Sequence, residues 1–173
     1  EEYASRHRYA YLGLDAVAAE LSPNAPETVS LAAGREFMDR LAAALAGRES
    51  LVVESTLAGR TLDHVIRSAR AAGFTITIMY LFLDSVDMCV ERVRQRVEKG
   101  GHGVPETDVR RRFPRSLRNF WQVYRPLADH WLLVYNGDRE PVDVAAGTAA
   151  GISVRDAEWF ALFGRLTEGD AHG

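Results

Sequence analysis

The sequence predicts an α/β fold, a parallel sheet with helices on both faces. Two observations predict it. Apolar stretches of strand length alternate with stretches whose apolar residues recur every three or four positions. The strand-like stretches, SLVVES, FTITIMYLFL and HWLLVYN, are also continuous apolar runs and do not alternate with polar residues. A strand that is apolar on both sides is buried on both faces, as between two layers of helices.

In chain order, RYAYLGL (8–14) reads as a strand ending at Asp15, followed by the short helix DAVAAEL. A long helix over SPNAPETVSLAAGREFMDRLAAALAG starts near Pro26 and stops at Gly47, with Phe37, Leu41 and Leu45 on its buried face. The strand SLVVES (50–55) ends in a carboxylate. GRTLDHVIRSARAAG is a helix closed by Gly73, and FTITIMYLFL is the next strand. Ser85 opens a helix with Val86, Val90, Val93 and Val97 on its apolar face, ended by Gly100 and Gly101. Pro105, Glu106 and Asp108 open another, because acids favour the positive helix N-terminus. Its stripe is Val109, Phe113, Leu117, Phe120 and Tyr124, and Pro114 is expected to kink or divide it. HWLLVYN (130–136) is the final strand. The tail SVRDAEWFALFGRL is amphipathic, with Trp159, Leu162, Phe163 and Leu166 on the side expected to dock on the domain.

At 173 residues, with no linker, repeat or low-complexity tract, the chain is expected to be a single domain over 1–173. Within it, 96–126 forms an arginine-rich lid region and 152–173 a C-terminal amphipathic helix and tail. No apolar run is long enough to span a bilayer, so no membrane partner is expected. EEYASRHR carries two acids and no apolar block, unlike a secretory signal. It reads as the polar end of a helix already under way. One cysteine, Cys89, excludes an internal disulfide and suits the cytoplasm; flanked by valines, it reads as a small buried hydrophobe. No metal-ligand spacing is found among the five histidines and this cysteine.

Net charge is −3, but residues 92–118 hold nine bases against three acids, a net +6 that leaves −9 for the remainder. Eight of the nine are arginine, whose planar fork of donors grips phosphate oxygens. A solvated helix face is the plain reading of such a run. The Gly100-Gly101 hinge in its middle favours a lid that closes over phosphate.

On a parallel sheet, ligands collect at the carboxyl ends of the strands. There the sequence places Asp15, then Glu54-Ser55-Thr56, then Asp84 and Ser85 leading into the helix of Arg92 and Arg96, and finally Asn136-Gly137-Asp138. Acids suit deprotonating a hydroxyl or holding magnesium, and arginines suit neutralising a transferring phosphate.

The phrases LGLDAVAAELSP, VVESTLAGRTL, ERVRQRVEKGGHGVP, DVRRRFPRSLRNF and YRPLADHWLLVYN run in the order found in the zeta toxin family of P-loop kinases, which this chain resembles over roughly residues 8–137. The resemblance implies a three-layer P-loop-kinase-like sheet whose first strand and P-loop are absent from this chain. It implies ATP-dependent phosphorylation of a small hydroxylated substrate, for zeta toxins UDP-N-acetylglucosamine, with ATP and Mg2+ as cofactors and an antitoxin protein as a possible partner. It assigns Asp15 as general base, and Glu54, Ser55 and Thr56 to the substrate. Arg92, Arg96 and Arg112 would neutralise phosphates, with Arg110 beside the substrate, Asn136 near the adenine and a local structural role for His102. No G-x-x-x-x-G-K-[ST] occurs in the 173 residues. In the family that loop precedes the matching segment, and a truncated kinase is therefore expected, not a degenerate one.

Two other readings compete. A P-loop-less binding protein would keep the pocket and lid and bind the nucleotide sugar without catalysis. A nucleic-acid-binding module would use the 92–118 patch, but the remainder is acidic and no nucleic-acid motif appears. A serine hydrolase is disfavoured because VESTL lacks the G-x-S-x-G elbow.

Overall fold

The structure is a computed structural model that describes residues 9–23, 26–101, 103–137 and 139–169. EEYASRHR, His102 and Asp138 lie outside the described residues. The architecture is mixed α/β, with six α-helices and two sheets among the described residues. The chain divides into two compact units, residues 1–55 and 56–173.

In the first unit, β1 (Ala10–Gly13) pairs in parallel with β2 (Leu51–Glu54), in register from Ala10 with Leu51 to Gly13 with Glu54. Parallel neighbours need a long crossover. Here it consists of α1 (Leu14–Leu21), a 3-10 turn (Pro26–Val29) and α2 (Ser30–Ala46). Leu12, Val17, Ala33, Phe37 and Leu41 close the core of this unit, and Leu45 is half-buried. The helix stops at Gly47, as the sequence predicts. Gly47 keeps φ −75°, and Arg48 takes the left-handed turn with φ +57°. The Arg48 and Glu49 amides return to the Leu45 and Ala44 carbonyls, which satisfies the helix end despite the Cβ cost at Arg48.

The second unit begins with α3 (Thr61–Ala71) and continues through β3 (Thr77–Phe82), α4 (Val86–Glu98) and α5 (Glu106–Asn119). A π turn (Phe120–Tyr124) and a 3-10 turn (Arg125–Leu127) lead to β4 (His130–Tyr135). Then come β5 (Val142–Thr148), β6 (Gly151–Val154) and α6 (Ala157–Glu168). The sheet order is β3-β4-β5-β6. Only the β3–β4 pair is parallel; β4–β5 and β5–β6 are antiparallel, with a bulge at Leu133/Val134.

This corrects the expectation of a wholly parallel sheet ending at HWLLVYN. Residues 142–154 form two further strands, and 152–154 belong to β6, so the terminal helix starts only at Ala157. Small residues hid these strands. Ala145, Ala146 and Gly147 carry little apolar signal, and the Ala149-Ala150 hairpin tip lacks the Asn-Gly or Asp-Gly signature. Gly147 is required: it pairs with Trp131, and a Cβ there would lie 2.5 Å from the indole Cζ2.

The core of this unit is aromatic. Tyr80 stacks on Phe120 at 4.2 Å, and Phe163 of α6 meets Tyr80, Phe82 and Phe120 edge-on. The amphipathic tail helix thus docks on the domain, with Phe163 buried and Trp159 stacked on Tyr135 at 3.5 Å. In α5, Leu117 is buried with Phe120 and Tyr124 of the π turn just beyond it, while Val109 and Phe113 are half-buried. Pro114 does not divide the helix, which runs from Glu106 to Asn119. The carbonyl that loses its helical partner is that of Arg110, on an exposed turn where water can serve it. The irregularity comes after it, in the π turn. The valine face of α4 also differs from expectation: no residue of that helix is fully buried, and Val97 is exposed. No helix among the described residues is long and apolar enough to cross a membrane.

Candidate functional site

At the carboxyl ends of β3 and β4 the chain brings together several groups the sequence singled out. Ser85 caps α4, its hydroxyl accepting the Met88 amide at 3.3 Å. That starts the helix so that Arg92, two turns on, reaches across to the loop after β4. Its guanidinium donates to the Gly137 carbonyl at 2.7 Å, while the Asn136 amide donates to the Phe82 carbonyl at 2.9 Å. The Tyr135 hydroxyl donates to Asp84 at 3.3 Å. Arg92 and Asn136, separate in sequence, share one strand edge. Beneath them burial pushes the Cys89 thiol up to about 11, with Arg92 pulling it back and Asp84 adding to the rise. Cys89 was expected to be a small buried hydrophobe and is only half-buried.

The lid arginines differ among themselves. Arg110 is held at 2.8 Å by both Glu106 and Asp87, the latter on α4. Arg111 and Arg112 share Asp108, at 2.7 and 3.3 Å. Arg94 pairs with Glu91 at 3.1 Å. The arginines of these pairs are exposed and Asp108 is half-buried, so water screens the pairs and each adds little to stability, but they offset much of the charge. From Asp84 to Arg118, nine bases face six acids, so the patch carries +3. The sequence window began at Arg92 and missed Asp87 and Glu91, one helical turn apart on the same helix. Arg96 makes no ion pair among the described residues. Its stem lies against Gly101, where a Cβ would come within 2.6 Å of the Arg96 Cγ, while Gly100 takes φ +83°. The two glycines are therefore needed for packing and for a left-handed turn.

Thr56 is exposed at the start of the loop leading to α3. Three side chains that the sequence did not mark as site residues hold this loop. Ser116 donates to the Thr56 carbonyl, Asn119 to the Leu57 carbonyl at 2.9 Å, and Tyr124 to the Gly59 carbonyl at 2.6 Å. Tyr124 had entered only as part of a core stripe. A sequence signal existed in the polar Ser116 and Asn119, one turn apart beside the apolar stripe of α5.

Asp15, Glu54 and Ser55 belong to the first unit. Asp15 is not a strand end but the second residue of α1, exposed in its first turn, where the helix dipole favours a carboxylate. Glu54 ends β2, is exposed, and accepts a hydrogen bond from the Tyr11 hydroxyl. Because Glu54 pairs with Gly13, Asp15 follows two residues beyond that pair, and both acids lie at the carboxyl edge of β1–β2. The expected single edge is thus two edges: Asp15, Glu54 and Ser55 on the two-stranded sheet, and Arg92 and Asn136 on the four-stranded one.

Among the described residues, no three histidines, cysteines or acids are grouped as a metal cage requires. An open concavity of about 410 Å³ runs along α2, lined by Leu31, Gly34 and Met38. Another of about 260 Å³ lies between α4 and α5, lined by Val90, Val93, Val97 and Val109. Neither includes a residue expected at the site.

No family model matches the chain, and no solved structure matches it. It is similar to an uncharacterized protein of Haemophilus influenzae, at 27% identity over 99 residues, 57% of this chain and 71% of that protein.

Proposed function

We propose that this protein is an ATP-dependent phosphotransferase acting on a hydroxyl of a nucleotide sugar, with UDP-N-acetylglucosamine as the first substrate to test. The observation that carries the reading is the junction of Arg92 with the Asn136-Gly137 turn at the carboxyl ends of two parallel strands. In an α/β sheet that is where phosphate-bearing ligands sit. It is supported by the order of the VVEST, ERVRQR and GGHGVP phrases along the chain.

In this reading Asp15 takes the proton of the attacking hydroxyl, and Glu54, Ser55, Thr56 and Arg110 hold the sugar nucleotide. Asn136 lies by the adenine. Arg92, engaged by the Gly137 carbonyl, holds the nucleotide loop in shape. Arg96, which makes no ion pair among the described residues, supplies positive charge toward the transferring phosphate, together with Arg112. Magnesium enters as the companion of the ATP phosphates, since this ion is usually held by one or two carboxylates and the substrate's own oxygens.

A second reading has its own observation. The 173 residues contain no G-x-x-x-x-G-K-[ST], and a binding protein for nucleotide sugars needs none. Incubating the full-length protein with ATP labelled at the γ-phosphate and UDP-N-acetylglucosamine separates the two. Label on the sugar is expected. Binding of the UDP-sugar without transfer selects the binding protein, and absence of both removes the reading.

A further inference from the structure

We infer that Ser116, Asn119 and Tyr124 are positioning residues, a clamp that sets the 56–59 loop and with it Thr56 for substrate. The inference rests on the phosphotransferase reading only in taking Thr56 as a substrate-binding group.

Surface loops ordinarily leave their carbonyls to water. Here three carbonyls within four residues, those of Thr56, Leu57 and Gly59, each accept a side-chain donor, and all three donors come from residues 116–124. Ser116 and Asn119 lie one turn apart on α5. Tyr124 is brought in by the π turn, an irregularity often found beside functional sites. The clamped loop holds Leu57 at φ +55°, a left-handed conformation that an L side chain adopts only when its surroundings impose it.

The clamp is anchored in the core. Ser116 has one hydroxyl proton and gives it to the Thr56 carbonyl. In the 2.7 Å contact with Tyr80 it must therefore accept, so the Tyr80 hydroxyl is the donor. Tyr80 is buried on β3 and stacked on Phe120, and burial raises its phenol well above the ordinary range, which keeps that proton in place. A continuous line of bonds runs from the aromatic core to the loop. An arrangement serving stability alone would need no such line to an exposed threonine.

The test compares Tyr124→Phe, Asn119→Ala, Ser116→Ala and the conservative Ser116→Thr in the full-length protein. Hydrogen exchange of the peptide over 56–60 is read beside thermal unfolding and the KM and kcat for UDP-N-acetylglucosamine. Each single loss is expected to speed loop exchange about fivefold to tenfold, the effect of one lost hydrogen bond. KM should rise severalfold with the KM for ATP unchanged, and Ser116→Thr should restore both. Unchanged loop exchange in all variants overturns the clamp. Faster exchange with unchanged KM and kcat overturns its positioning role. A wild-type protein that neither binds nor phosphorylates the UDP-sugar overturns the functional reading and the assignment of Thr56 with it. That failure is distinguished by appearing before any substitution is made.

Discussion

The Arg92 guanidinium and the Gly137 carbonyl, 2.7 Å apart, join α4 to the turn after β4. Gly137 is buried, so this carbonyl has little water to fall back on if the arginine is removed. Arg92→Ala is expected to lower stability by about 1–2 kcal/mol in urea unfolding, with the slope unchanged. Arg92→Lys should recover part of it. If Arg92 acted on phosphate alone, the urea midpoint would not move and only turnover would fall.

Pro114 sits inside α5 with half a helix on either side. Its missing N–H leaves the Arg110 carbonyl without a helical partner, and its ring crowds the turn before it. Pro114→Ala restores that bond at the cost of a looser unfolded chain. A net gain of about 2 kcal/mol is expected, read as a higher thermal midpoint. A loss would mean that the ring's packing matters more than the bond.

Most helices were legible because capping and periodicity are local. Ser85 before α4 and Gly100 after it are cases where one residue's chemistry settles an end. The β5–β6 hairpin was not legible, since its small residues derive their order from Trp131 on the neighbouring strand. That Arg48 and not a glycine takes the left-handed turn after α2 could not be read from propensity. At the site, Arg92 and Asn136 could be named from the strand-end rule. Their actual contacts could not, nor could the clamp from Ser116, Asn119 and Tyr124, because these bonds span 45 to 65 residues and leave no periodic trace.

Asp15, exposed in the first turn of α1, is the proposed base. Asp15→Asn keeps the size and the hydrogen-bonding oxygen but cannot take a proton. Phosphoryl transfer by the full-length protein is expected to fall on the order of 10²–10⁴-fold, the usual share of general base catalysis. Calorimetric binding of ATP should stay the same. Retained turnover would move the base elsewhere.

Arg96 and Arg112 offer a contrast. Arg112 shares Asp108 with Arg111, whereas Arg96 pairs with no acid among the described residues. A charge already paired contributes less to a developing phosphate charge than a free one. Arg96→Ala is therefore expected to reduce kcat by more than about tenfold, and Arg112→Ala by less, each with stability within about 0.5 kcal/mol of the parent. The reverse order would reassign the role.

Cys89 gives a pH signature that depends on the fold alone. Burial raises its thiol from 9.0 to about 11, against the pull of Arg92 and with help from Asp84. At pH 8 both folded and unfolded chains hold the proton for the most part. The small thiolate fraction that reacts is lower in the folded chain, so modification by a disulfide reagent should run on the order of a hundredfold slower than in urea. Stability follows from proton counting. Below pH 9 the two states bind the same proton and Cys89 adds no slope; between 9 and about 11 the folded chain keeps a proton that the unfolded chain has lost. Stability must then fall as pH rises through that window. Tyr80, also raised by burial, adds a decline that starts above its ordinary 10.0. Urea midpoints from pH 7.5 to 11 should show the fall in the parent and a weaker one in Cys89→Ala, with the difference opening near pH 9. Identical profiles would mean that Cys89 titrates as freely in the folded chain as in the unfolded one.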